Sequence, residues 1–256
     1  MSEGLHLERP HEHVVVATLD RPPVNALDRA ARHALRDLIA EIDADLGVRC
    51  LVLTATGRTF CAGADLREEA SMEGAQDAAD FLGEFGLILI GLNRLRVPVV
   101  AAINGGCLGG GLELALSCDL RIAARSAHFV ASGVNVGLVA SFSTLVRTIG
   151  SSRAASMLLT GLPCSAERAE RFGLVSDVVD DTELAARSLE LAVRIASRPP
   201  LSVEANKRCI RVAPDLDADA ALALQGEEAL RLAATRDHQE ALAAFFEKRP
   251  GRFRRE

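Results

Sequence analysis

The residues best placed to do chemistry lie in NGGCLGGGLELALSCDL, positions 104–120, where glycine fills five of the first eight places. Glu113 is the carboxylate inside the apolar run that follows. A glycine-rich turn between a strand and a helix lets backbone N–H groups approach a ligand closely, either a phosphate or a developing oxyanion. Gly105, Gly106, Gly109, Gly110 and Gly111 do not follow the G-x-G-x-x-G spacing, and no Gly-Lys-Ser/Thr is present. The helix start is then best read as an oxyanion donor. Two readings of Glu113 stand. Acidic residues favour helix N-termini, and a carboxyl held in an apolar site is a general acid/base with a raised pKa. CAGAD (61–65) favours the second. It also follows a strand and offers small residues with free N–H groups, so the two loops could each give one donor to a single oxygen.

The surrounding pattern supplies the scaffold. VVVATL (14–19), CLVLTAT (50–56), VVAAI (99–103) and DLRIAA (119–124) read as strands. Apolar spacing predicts helices over 27–45, starting near Asp28, over 76–95, and from the glycine segment to about Ser117. GRTFCAGADL (57–66) reads as a loop, as does the segment holding Ser141 and Ser143. This alternation implies βαβ units and a parallel sheet. Helical patterns dominate from about 151, with LVSDVV (174–179) as one last strand and RPP (198–200) opening a C-terminal helical region. No internal repeat is evident.

The chain has 256 residues, 49% hydrophobic and 25% charged, as one large soluble domain would. Its net charge of −6 and lack of a basic stripe argue against nucleic-acid binding. Six cysteines at 50, 61, 107, 118, 164 and 209 form no CxxC pair, so reduced, mostly buried thiols are expected and no metal site. No apolar run approaches the roughly 20 residues that span a bilayer, and the N-terminus has no signal pattern. A cytoplasmic protein without membrane partners is the expectation.

GRTFCAGADL followed by VPVVAAINGGCLGGGLELALSCDLRIAA resembles the enoyl-CoA hydratase/isomerase (crotonase) family. LDRPPVNALD, LLTGLPCSAERAERFGLVSDVV and AFFEKRPGRF extend the resemblance over nearly the whole chain. It implies an α/β fold, a ClpP-like spiral of ββα units over 1–197, with a helical oligomerisation region over 198–256. It further implies an acyl-CoA substrate, with coenzyme A as part of the substrate and no separate cofactor or metal, and a homotrimer or a dimer of trimers. By position, the oxyanion donors would be the N–H groups of Ala64 and Gly110, with Glu113 catalytic. Val24, Ala26, Ala62 and Leu66 would line the coenzyme A path, Arg67 would stand near its phosphates, and Asp65, Gly109 and Gly133 would complete the site. Phe245 and Lys248 would approach the nucleotide from a neighbouring subunit. Asn25 and Asp65 also suit turn structure.

The resemblance fails at one place. The family's second catalytic glutamate falls on Gly133, within FVASGVNVGLVASFSTLVR (129–147). A hydratase, weak or specialised for want of that carboxylate, is the leading expectation, and Gly133→Glu would then restore activity. Ser132 and Asn135 could hold a water in the vacated space. Another reaction on the same enolate (isomerisation, hydrolysis or decarboxylation) and a non-catalytic acyl-CoA-binding protein are the alternatives.

Overall fold

The computed structural model describes residues 4–256. β1 (Leu5–His11) and β2 (Val14–Leu19) form an antiparallel pair, and α1 (Arg29–Ala44) follows. Next come β3 (Cys50–Ala55), β4 (Thr59–Cys61), α2 (Leu66–Ala70) and α3 (Ala75–Arg94). A second coil comprises β5 (Val99–Ile103), β6 (Gly106–Leu108) and α4 (Gly110–Leu116). A third begins with β7 (Leu120–Ala124) and β8 (His128–Val130), then a 3₁₀ turn over Ser132–Val136, α5 (Phe142–Ile149) and α6 (Ser151–Leu158). β9 (Cys164–Ser165), α7 (Ala166–Phe172), β10 (Asp177–Val179) and α8 (Leu184–Ala196) close the core. α9 (Pro200–Val212), α10 (Ala218–Ala233) and α11 (Arg236–Glu247) end the chain.

Two sheets result. The larger has the order β1-β2-β3-β5-β7-β10, and the smaller β4-β6-β8-β9. All neighbours are parallel except β1/β2 and β8/β9. Each coil lays one strand in the large sheet, turns into the small sheet, and returns through helix. β5 is buried at all five positions, as a strand covered on both faces must be. One face meets Leu35, Leu38 and Ile42 of α1 and Ile88 and Leu92 of α3. The other meets Leu184, Ala192 and Ala196 of α8. Asp28 caps α1 by accepting the N–H of Ala31 at 2.9 Å.

The sequence pattern found the strands of the large sheet except β1, but not the small sheet. β4, β6 and β8 have three residues each, too few to display a period of two. Within the glycine segment, β6 precedes α4. Ser141 is the residue before α5 and Ser143 lies within it, so their segment is helical rather than loop. All six cysteines are free. Among the described residues there is no metal-competent cluster and no helix long and apolar enough to cross a membrane.

Candidate active site

The two glycine turns meet because their strands are neighbours in the small sheet. Cys61 of β4 lies opposite Cys107 of β6. Three residues beyond each partner stand Ala64 and Gly110. Both chains run Cys-x-Gly-small, as CAGA and CLGG, and both middle glycines have positive φ, 89° at Gly63 and 50° at Gly109. The same turn is therefore made twice, about 4.8 Å apart as adjacent strands are. Leu27 forms a parallel bridge to Ala64, with the Leu27 N–H donating to the Gly63 carbonyl at 2.7 Å. Such a bridge uses the groups flanking Ala64 and leaves its own N–H facing the other way. Gly110 is the first residue of α4, so its N–H is one that a helix cannot satisfy internally. The turns approach so closely that a Cβ on Gly63 would sit 2.6 Å from the Gly110 nitrogen.

Ala64 and Gly110 line a cavity of about 320 Å³ together with Glu113. Its apolar wall includes Phe81, Phe85 and Leu138. Glu113 lies in the first turn of α4. Burial raises its carboxyl pKa above the usual 4.5, opposed in part by the Ser141 N–H, which donates to Oε1 at 2.8 Å. Ser141 holds φ 62°, and this left-handed backbone turns its N–H onto the carboxylate. A proton acceptor thus shares an apolar cavity with two unpaired N–H donors, an arrangement suited to holding a developing oxyanion while a proton moves.

A sequence model of the enoyl-CoA hydratase/isomerase family matches residues 9–256. The chain belongs to that family. It is 36% identical to a short-chain-enoyl-CoA hydratase of Clostridium acetobutylicum over 245 residues, 92% of each protein. An enoyl-CoA hydratase structure from Bacillus anthracis superposes with a TM-score of 0.96 at 33% identity, covering 99% of this chain and 100% of that one. A Mycobacterium smegmatis enoyl-CoA hydratase gives 0.93 at 32%, covering 98% of each. The spiral is thus the crotonase fold.

Within this crotonase spiral, Ala62, Ala64, Leu66, Gly109, Gly110, Glu113 and Gly133 converge on the cavity. Val24, Ala26, Asp65, Arg67, Phe245 and Lys248 are not on its wall. Val24 is exposed at the surface, and its carbonyl takes the Ala62 N–H at 3.0 Å. Asp65 caps α2 through the Arg67 N–H and pairs with Arg21 at 2.9 Å, which lowers its pKa, so its carboxylate is occupied structurally. Asn25 is likewise structural, its amide donating to the Thr56 and Thr59 carbonyls. Phe245 is exposed on α11, and Lys248 caps that helix in the left-handed region. Ser132 reaches the cavity wall, whereas Asn135 donates to the Gly161 carbonyl. Cys61 is buried and its thiol pKa is pushed up to about 12, which leaves no thiolate for nucleophilic work.

Sequence reasoning missed Glu69, the other carboxylate on the cavity wall, carried by α2. It also missed what holds α2 and α3 over the site. Arg32, 1% exposed on α1, grips Glu68 at 2.9 and 3.0 Å and Glu84 at 3.0 Å, with its guanidinium 4.5 Å from the Phe81 ring centroid. Glu68, Glu84 and Phe81 have helical neighbours that form the roof. The sequence does hold one local sign that the two turns correspond, the repeated Cys-x-Gly-small at 61–64 and 107–110, too short at four residues to stand out as a repeat.

Proposed function

We propose that this chain hydrates 2-enoyl-CoA thioesters. The thioester oxygen accepts the Ala64 and Gly110 N–H groups, which draw electron density from the conjugated double bond. Glu113 takes a proton from water as the water oxygen bonds to Cβ, and the π electrons move into a thioester enolate. The protonated Glu113 then delivers a proton to Cα, and the carboxylate returns to its starting state. Each donor contributes on the order of 3 kcal/mol to the enolate. The raised Glu113 pKa makes its carboxylate a stronger base for the first transfer, while the far more basic enolate carbon still draws the proton from the resulting acid in the second.

What supports the reading most directly is that Glu113 and both donor turns line one cavity. Gly133 supplies no second carboxylate, so Glu113 performs both transfers. In the same reading, Val24, Ala26, Ala62 and Leu66 guide the coenzyme A chain and Arg67 meets a phosphate, while Phe245 and Lys248 serve the site of an adjacent subunit. Purified protein with crotonyl-CoA should lose the enoyl absorbance. Glu113→Gln should lower kcat by about 10²–10⁴-fold, and Glu69→Gln by less than about threefold. No turnover, or turnover indifferent to Glu113→Gln, would sink the assignment. A loss of about 100-fold on Glu69→Gln would make hydration a two-carboxylate reaction.

A further inference from the structure

Glu113 borders two cavities. Beyond the one that holds the donor turns lies a second of about 430 Å³, which shares Glu113 and Leu89 with the first. The first has aromatic walls; the second has Leu89, Ile90, Leu116 and Val212 on its wall but also gathers charged side chains. Arg94, Arg147 and Arg211 line it, against Asp215 as its own acid. Asp215 is taken by Arg147 at 2.7 Å. Among the described residues, no ion pair or side-chain hydrogen bond engages Arg94 or Arg211. The hydroxyls of Ser143 and Thr144 stand on the same wall.

We propose that this second cavity is a subsite for a carboxylate at the far end of the acyl chain. The preferred substrates are then coenzyme A thioesters of dicarboxylic acids. A guanidinium fork matches a carboxylate in bidentate fashion. An all-hydrocarbon tail would instead press two unpaired cations against apolar carbon, which costs free energy. Leu89 lines both cavities, and Asn93 and Arg94 lie four and five residues further along α3, about 6 and 7.5 Å along its axis. With the reacting carbons at Glu113, the terminal carboxylate of a short dicarboxylic acyl chain would enter this neighbouring cavity. The inference rests on the hydratase reading for where the reacting carbons lie.

The test uses saturated probes, so that binding is read without turnover. Adipyl-CoA and hexanoyl-CoA, equal in length and differing in the terminal carboxylate, are titrated calorimetrically into the intact protein and into the Arg94→Met/Arg211→Met variant. Adipyl-CoA should bind at least about tenfold more tightly to the wild type, and the ratio should fall to about unity in the variant. Reading a ratio within each protein cancels any general loss of folding or coenzyme A affinity. Equal affinities in the wild type, or a preference that survives in the variant, would overturn the subsite. Crotonyl-CoA hydration is measured separately. Adipyl preference without hydration defeats the hydratase reading alone, and hydration without the preference defeats the subsite alone.

Discussion

Glu113 carries opposing demands. Catalysis asks for a carboxyl that gives and takes a proton, while the apolar cavity penalises its charge, and its pKa is raised from 4.5 with burial as the largest cause. A raised carboxyl pKa means that the unfolded chain ionises more readily than the folded one. Folding is therefore penalised as pH rises from the unfolded pKa through the folded one, and no penalty exists below the unfolded value. Glu113→Gln keeps the shape and the acceptor for the Ser141 N–H but removes the charge. It should raise Tm at pH 7 by about 1–3 °C and leave Tm unchanged near pH 3.5, by calorimetry. An unchanged or lower Tm at pH 7 would mean that the site tolerates the charge without cost. A carboxylate kept in a cavity that penalises its charge is a stability cost of the kind retained for activity.

At the scale of elements, the segment from Ala131 to Ser141 departs most from expectation. A Cβ on Gly133 would lie 2.9 Å from the Leu138 carbonyl oxygen and 3.3 Å from the Ala140 Cβ, and the Leu138 N–H already donates to the Gly133 carbonyl at 2.8 Å. The segment has closed over its own glycine. Gly133→Ala should cost about 1–3 kcal/mol in urea denaturation, and Gly133→Glu should bring no gain in crotonyl-CoA hydration, contrary to the simple restoration that the residue's position suggests. A tenfold gain would mean that the wall opens freely. The sequence carried the large-sheet strands from β2 onward, α1, α3, α4 and the approach of the two glycine turns to each other, because long periodic runs and glycine spacing are local signals. It did not carry the closure at Gly133, the Arg32 grip on Glu68 and Glu84, or Glu69 on the wall. Those depend on residues brought together from separate coils, and no local pattern records them.

For the whole molecule, the C-terminal helices leave apolar surface uncovered. α10 buries none of its sixteen residues, with Leu222 67% and Leu230 78% exposed, and Phe245 and Phe246 stand out from α11. An apolar face of this kind is where a contact surface is expected, and the trimer implied by the family resemblance would cover it. Sedimentation equilibrium at micromolar protein should give the mass of three or six chains, and Leu222→Glu/Leu230→Glu should shift it toward one. A monomer at all concentrations would refute this. The spiral has a subtler consequence. The small sheet continues to β8, where Phe129 lies opposite Cys107, and three residues on is Ser132, on the wall of the same cavity. The third coil thus reaches the place from which the first two present their N–H groups. It has Ala131 where they have glycine, and at φ −79° the chain winds into its 3₁₀ turn instead. The turn that aims an N–H at the cavity is thus repeated along a translational series, and a glycine two residues past the strand partner distinguishes the coils that make it from the one that does not.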